Sequence, residues 1–232
     1  MRLDKFLSET GTASRSESRK AARTGGISVN GTAVHDTAVH IDPEQDEIFF
    51  MGSRIVYRKS IYLMLNKPEG VVSATDDGTE RTVLDLLPGK YRKMGLFPCG
   101  RLDKNTTGLL ILTNNGALAH RLLSPKCHVE KTYRFTCERP LTDADCELLR
   151  RGVNIGEKSS TLPAKLTLSS DRSGEITVTE GKYHQIKRMF GVYGAGVNAL
   201  HRDAIGGLAL DPALAPGQWR ELSDEEVAKI TR

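Results

Sequence analysis

No apolar run in this 232-residue chain approaches the roughly 20 consecutive residues that a membrane-spanning helix requires. An apolar signal core at the start is also missing, since Arg2, Asp4 and Lys5 already place charge there. A cytoplasmic protein without membrane attachment is therefore expected. Cysteine is scarce and scattered, at 99, 127, 137 and 146, with no Cys-x-x-Cys pair. That spacing argues against a structural zinc site and against a disulfide framework, and it predicts reduced, partly buried thiols. The adjacent Cys127 and His128 do not by themselves build a tetrahedral metal site. Internal repeats, low-complexity tracts and a Gly-rich phosphate-cradling loop are missing too.

Charge is plentiful but only mildly unbalanced. Charged residues make up 27% of the chain, hydrophobic ones 38%, and the formal net charge is +4. These values fit a globular protein of one large domain, or a small one plus a medium one. Distribution says more than the total. The basic side chains of residues 1–30 outnumber the acidic ones, whereas residues 36–47 hold Asp36, Asp42, Glu44, Asp46 and Glu47 with no Lys or Arg. Leu3, Phe6 and Leu7 mark one helical face. A second helix is predicted from Ser14, with Glu17 completing a capping box and Gly25-Gly26 ending it. Arg15, Arg19 and Arg23 recur every four residues on that helix, with Lys20 to one side. Asn30-Gly31 between Ile27-Ser28-Val29 and Thr32-Ala33-Val34 predicts a tight hairpin. Arg54 to Ser60 reads as a connecting segment.

Beyond it, Tyr62 to Leu65 predicts a buried strand closed by the turn Asn66-Lys67-Pro68-Glu69-Gly70. Further strands are expected at Gly108 to Leu112, Tyr133 to Cys137, Ala164 to Leu168 and Glu175 to Thr179. Strand pieces between Val197 and Leu210 are broken by Gly206-Gly207. A short helix should follow Gly116. A helix opened by Thr142 and Asp145 should close at Gly152, and Ser223 with Glu226 should open a last helix. Many strands with few intervening helices predict an α+β fold with a mainly antiparallel sheet.

Three segments invite a chemical reading. Gly100-Arg101-Leu102-Asp103-Lys104-Asn105-Thr106-Thr107-Gly108-Leu109 puts a carboxylate in a polar loop just ahead of an apolar strand. Glu130-Lys131-Thr132-Tyr133 opens a strand. Glu180-Gly181-Lys182-Tyr183-His184-Gln185-Ile186-Lys187-Arg188-Met189 starts a basic helix. Singly, each has an ordinary structural explanation: a turn aspartate, a core tyrosine, a solvated helix end. The tripeptide Arg-Leu-Asp also occurs at Arg2-Leu3-Asp4, where it reads as an ordinary first helix.

In this order and context the three segments resemble the motifs of pseudouridine synthases, most closely the ribosomal small-subunit group. Residues 1–58 resemble an S4 RNA-binding domain. The resemblance spans nearly the whole chain. It implies an S4-like domain over 1–58, a linker at 59–61 and a pseudouridine synthase domain over 62–232. It implies isomerisation of a uridine in 16S ribosomal RNA, in a small-subunit assembly intermediate, without a cofactor; no metal cluster is evident in the sequence, and a monomer is expected because the RNA itself provides a large partner surface. Asp103 is then the essential carboxylate, as nucleophile or base, and a nearby cation favours its ionised form. Lys187 is the expected cationic partner, with Arg188 as its rival. Tyr133 stacks on the uracil and Ile186 walls the other side. Arg101 occupies the gap left by the flipped base or holds a phosphate. Arg15, Arg19, Lys20 and Arg23 lie against RNA phosphates, with Arg2 and Lys5 as weaker candidates. The rivals are the same chemistry on 23S rRNA, a non-catalytic RNA-binding assembly factor, and a glycoside hydrolase. The last lacks an evident second carboxyl group.

Overall fold

The structure, a computed structural model, describes residues 1–58 and 60–230. Lys59, in the expected linker, and Thr231 and Arg232, at the end of the expected second domain, lie outside the described residues. The chain divides into two compact units. One comprises Met1–Ile61 with Leu84–Phe97, the other Tyr62–Val83 with Pro98–Arg232. No helix among the described residues is long and apolar enough to cross a membrane.

In the first unit, α1 (Leu3–Glu9) and α2 (Arg15–Arg23) pack beside a sheet of β1 (Ile27–Val29), β2 (Thr32–Ala33), β3 (Ile48–Phe50) and β4 (Ser53–Ile55). The strand order is β2-β1-β3-β4, all antiparallel. Leu3, Phe6 and Leu7 from α1, Ala21 and Ala22 from α2, and Ile27, Ile41 and Ile48 form one buried core. Both capping-box hydrogen bonds between Ser14 and Glu17 are present. Asn30 and Gly31 both take positive φ, 50° and 77°, as the tight hairpin requires. Arg54, expected in a connecting segment, belongs to β4 instead. Residues 53–55 pair with residues 48–50 after a turn at Met51-Gly52, a hairpin that carries no Asn-Gly or Asp-Gly signal.

The second unit begins with β5 (Tyr62–Lys67). After it, α3 (Gly89–Lys93) belongs to the first unit, where Tyr91 is buried. There follow β6 (Phe97–Pro98), β7 (Thr107–Thr113), α4 (Gly116–Leu123), β8 (Lys131–Cys137), α5 (Asp143–Arg151), β9 (Lys165–Leu168), β10 (Ser173–Val178), α6 (Gln185–Gly191), β11 (Val197–Ile205), β12 (Leu208–Ala209), β13 (Trp219–Glu221) and α7 (Asp224–Ile230). Nine of these strands form one sheet, ordered β13-β5-β7-β11-β8-β10-β9, with β12 on β11 and β6 on β7. The β7–β11 pairing is parallel, whereas β13–β5, β5–β7, β11–β8, β8–β10, β10–β9 and β11–β12 are antiparallel, so the fold is α+β with a mainly antiparallel sheet.

Two local patterns set this sheet. β7 is apolar throughout Leu109–Leu112 and fully buried, as a central strand covered on both faces must be. β8 alternates: Tyr133, Phe135 and Cys137 are buried, while Arg134 and Thr136 are exposed. On α6, Ile186, Met189 and Phe190 point into the core, and the Phe190 ring meets Phe135 at 4.8 Å. This 3.6-residue spacing turns Lys187 outward. The central parallel pairing lets Gly108 approach β11 closely. An added Cβ there would lie 2.3 Å from the Arg202 carbonyl oxygen.

Candidate active site

The Asp103 loop is fixed by its backbone before any side chain acts. Leu102 N–H donates to Ser73 Oγ at 3.0 Å, and Ser73 Oγ–H donates back to the Leu102 carbonyl at 2.9 Å. The Asp103 carbonyl accepts from Thr106 N–H at 3.0 Å, and the Lys104 carbonyl accepts from Gly70 N–H at 3.0 Å. The turn Asn66 to Gly70, at the end of β5, thus grips this loop.

Lys67 does most of the gripping. Its side chain is fully buried. Nζ donates to the carbonyls of Pro68 at 3.0 Å, Lys104 at 3.2 Å and Thr106 at 2.9 Å. Three donors meet three acceptors, so the protonated amine is fully satisfied. Burial nevertheless pulls its pKa down to about 8, and Lys187 pushes the same way. Asp103 and Glu69 oppose the shift.

The Asp103 carboxylate is partly buried and bound on both oxygens. Lys187 Nζ lies 3.1 Å from Oδ2, and His184 Nε2 lies 3.1 Å from Oδ1. His184 is the N-cap of α6 and adopts left-handed backbone, φ 49°. That conformation is uncommon for a residue other than glycine and swings the ring toward Asp103 instead of along the helix. Its other neighbour is Tyr183, whose ring stacks on the imidazole at 3.9 Å. Arg188, the rival partner for Asp103, points elsewhere. It pairs with Glu157 at 2.8 Å and donates to the carbonyls of Tyr183 and Ile155. Successive residues of a helix face different directions, so only one of Lys187 and Arg188 can meet the carboxylate.

Tyr133 sits on β8, separated from β7 by β11. Its phenol oxygen accepts from Arg202 Nη1 at 3.3 Å, and the same guanidinium lies 5.8 Å from the ring centroid. Arg202 is buried and donates through Nε to the Leu109 carbonyl of β7 at 2.8 Å. Tyr133 is thus tied to the strand that follows Asp103. The structure brings Asp103 and Lys187 into direct contact, whereas the contacts of Tyr133 run through Arg202 to the Leu109 carbonyl of β7. Ile186 is buried next to Lys187, and Arg101 is exposed two residues before Asp103.

Sequence reasoning assigned no role to His184, Lys67 or Arg202. His184 lies in the segment Glu180 to Met189 and Lys67 in the turn Asn66 to Gly70, so position was a signal, though their contacts were not. Arg202 carries no such signal, standing among other polar residues, Asn198, His201 and Asp203, on β11. In the first unit, Arg15, Arg19, Lys20 and Arg23 are all exposed. The weaker candidates are engaged: Arg2 binds Asp4 at 2.9 Å and Lys5 lies 3.6 Å from Glu9. Cys99, Cys137 and Cys146 are buried and Cys127 is exposed, all free. Burial pushes the Cys99 thiol up to about 11.

A family model for RNA pseudouridylate synthases matches residues 61–191, which include the Asp103 loop, Tyr133 and the start of α6. The chain belongs to the RNA pseudouridylate synthase family. An S4-domain model matches residues 1–48. This pseudouridine synthase is 46% identical over 231 residues to the RNA pseudouridine synthase YtzG of Bacillus subtilis, covering 98% of this chain and 97% of that one. It is 40% identical to ribosomal small subunit pseudouridine synthase A of Escherichia coli K12, covering 99% and 100%. A solved structure titled as a pseudouridylate synthase shares 39% identity and a TM-score of 0.71, covering 99% of both chains. A pseudouridine synthase rearranges a nucleoside already within RNA, and the S4 domain marks this one as an RNA-binding protein.

Proposed function

We propose that this pseudouridine synthase isomerises one specific uridine of 16S ribosomal RNA in a small-subunit assembly intermediate. It does so in the cytoplasm, as a monomer and without a cofactor. Residues 1–58 serve as the RNA-binding domain and 62–232 as the catalytic domain, with 59–61 as linker. The observation that carries the chemistry is the Asp103–Lys187 pair at 3.1 Å. The choice of the small subunit is supported by the names of relatives from Escherichia coli and Yersinia pestis that align along nearly their whole length.

In the reaction the bond from ribose C1′ to uracil N1 breaks, the base turns, and C1′ bonds to C5. The C5 proton is lost and N1 gains one, so the net change is zero. Asp103 acts as nucleophile toward the sugar or base, or as base at the ribose. Each role uses the anion, and Lys187 supplies the compensating charge. Tyr133 stacks on the uracil, its ring braced from behind by Arg202, while Ile186 walls the opposite side. Arg101, exposed beside the carboxylate, fills the gap left by the flipped base or holds a phosphate. Arg188 supports α6 through Glu157 and contacts the substrate strand. Arg15, Arg19, Lys20 and Arg23 take RNA phosphates, providing affinity with little sequence reading.

The test is deletion of the gene followed by mapping of pseudouridine in both ribosomal RNAs. Loss of one 16S site, restored by the wild-type gene and not by Asp103→Asn, is the expected result. Loss of a 23S site would overturn the substrate assignment, and an unchanged map would overturn the assignment to ribosomal RNA.

A further inference from the structure

We propose that Tyr183 is a stacking platform for a nucleobase that flanks the target uridine. Tyr183 is 74% exposed, more than any other large hydrophobic residue among those described. A single exposed aromatic needs no explanation in itself. This one is held rigidly and stands at the reacting carboxylate. One face of the ring lies against His184, with centroids 3.9 Å apart and planes 17° from parallel. The imidazole beneath it reaches Asp103 at 3.1 Å. The backbone on either side is pinned. The Tyr183 carbonyl accepts from Arg188 Nη1 at 3.0 Å, and Lys182 Nζ donates to the carbonyls of Ser159 and Ser160 at 3.0 and 3.2 Å. His184 holds left-handed backbone at φ 49°, a conformation that persists only where its surroundings enforce it.

Enforcement of an exposed ring beside Asp103 fits a task outside the protein. Flipping a base from RNA deprives its neighbours of a stacking partner. Aromatic side chains replace that partner with little regard to base identity, because every base has a π-face. Tyr183 presents one covered face and one open face, as such a replacement requires. The inference rests on the reading that uridine reacts at Asp103.

The test uses the full chain and ribosomal particles from the deletion strain, on whichever subunit gains pseudouridine from the wild-type enzyme. Single-turnover product formation is followed against enzyme concentration. Loss of one stacked base weakens binding on the order of tenfold. Tyr183→Ala should therefore raise the half-saturating concentration by about that factor and change the maximal rate less than about threefold. Tyr183→Phe, which keeps the ring, should stay near wild type. The same comparison by filter retention in an Asp103→Asn background reads binding without chemistry, and the same weakening should appear there. Equal binding with and without the tyrosine ring in that background would overturn the proposal. So would a Tyr183→Ala defect confined to the maximal rate, because the ring would then act only by holding His184. Full activity of Asp103→Asn would instead sink the assignment of Asp103, and the binding comparison would still report on Tyr183.

Discussion

His184 and Asp103 meet at 3.1 Å, Nε2 to Oδ1, on the oxygen that Lys187 leaves open. A carboxylate held at one oxygen can still rotate about its Cβ–Cγ bond. Held at both, it presents a defined plane. Lysine offers only a point charge on a flexible stem, so by itself it fixes direction poorly. The imidazole supplies what the ammonium lacks.

Substitutions at this pair should separate charge from geometry. Asp103→Asn should abolish isomerisation while RNA binding stays within about twofold of wild type, since an essential nucleophile or base has no substitute. Lys187→Met should lower the maximal rate by roughly 100-fold, the loss typical of one preorganised charged donor. Lys187→Arg should recover most of it. His184→Ala should cost about tenfold in the maximal rate, and His184→Gln, which keeps an N–H donor, should cost less. Single-turnover rates with saturating enzyme distinguish these outcomes, and activity above a few per cent in Asp103→Asn would exclude its proposed role.

Lys67 predicts opposite pH trends for rate and stability. Below about pH 8 its ammonium donates to the Lys104 and Thr106 carbonyls of the Asp103 loop and to the carbonyl of Pro68. Above that value the neutral amine has two N–H groups and turns a lone pair toward the third carbonyl, so the maximal rate should fall. Stability should move the other way. Between about pH 8 and the ordinary lysine value of 10.5 the unfolded chain still binds the proton and the folded chain has released it. This group's contribution therefore becomes more favourable as pH rises through that window. Lys67→Met should be slower by about tenfold at pH 7 and should lose the alkaline limb. Persistence of the same limb in Lys67→Met would assign it to another group.

The basic face of α2 should act through phosphates. Replacing Arg15, Arg19 and Arg23 together by Gln should reduce the slope of log affinity against log salt by about 2 to 3, one counterion per contact. All three are exposed, so thermal stability should change little. Filter binding between low and moderate salt measures the slope, and an unchanged slope would place this face away from RNA.

Gly108 and Gly116 should respond oppositely to alanine. At Gly108, φ is 102° and the new Cβ would fall 2.3 Å from the Arg202 carbonyl oxygen and 2.7 Å from its nitrogen. The parallel β7–β11 pairing would have to open, at a cost of about 3 kcal/mol or more. At Gly116 an added Cβ meets nothing within 4 Å and lies within α4, so stability should rise by up to about 1 kcal/mol. Urea unfolding midpoints of the two variants test this contrast directly.

Much of the chain was legible locally. The α1 face, the Ser14–Glu17 box, the Asn30-Gly31 hairpin, the alternation of β8 and the Thr142–Asp145 box that opens α5 all depend on residues a few positions apart. The resemblance of three segments to pseudouridine synthase motifs pointed to the family and led to the expectation that Asp103 faces Lys187, and the two side chains meet at 3.1 Å. The β3–β4 hairpin, α3 and β13 were not legible, because short elements with weak turn signals owe their existence to the partners they pair or pack with.

Two copies of Arg-Leu-Asp show where sequence stops. In Arg2-Leu3-Asp4 the carboxylate turns back onto its own Arg2 at 2.9 Å, is buried at the start of α1, and is held below the ordinary aspartate range by that hydrogen bond. In Arg101-Leu102-Asp103 the arginine is exposed and the carboxylate instead meets side chains from α6. Local sequence set the tripeptide and its loop or helix setting. The choice of partners, Lys187 over Arg188, His184 on the second oxygen, Lys67 beneath the loop and Arg202 behind Tyr133, came from distant segments brought together by the central sheet. Side-chain direction at such a meeting depends on strand register and helix phase, which only the assembled tertiary structure fixes.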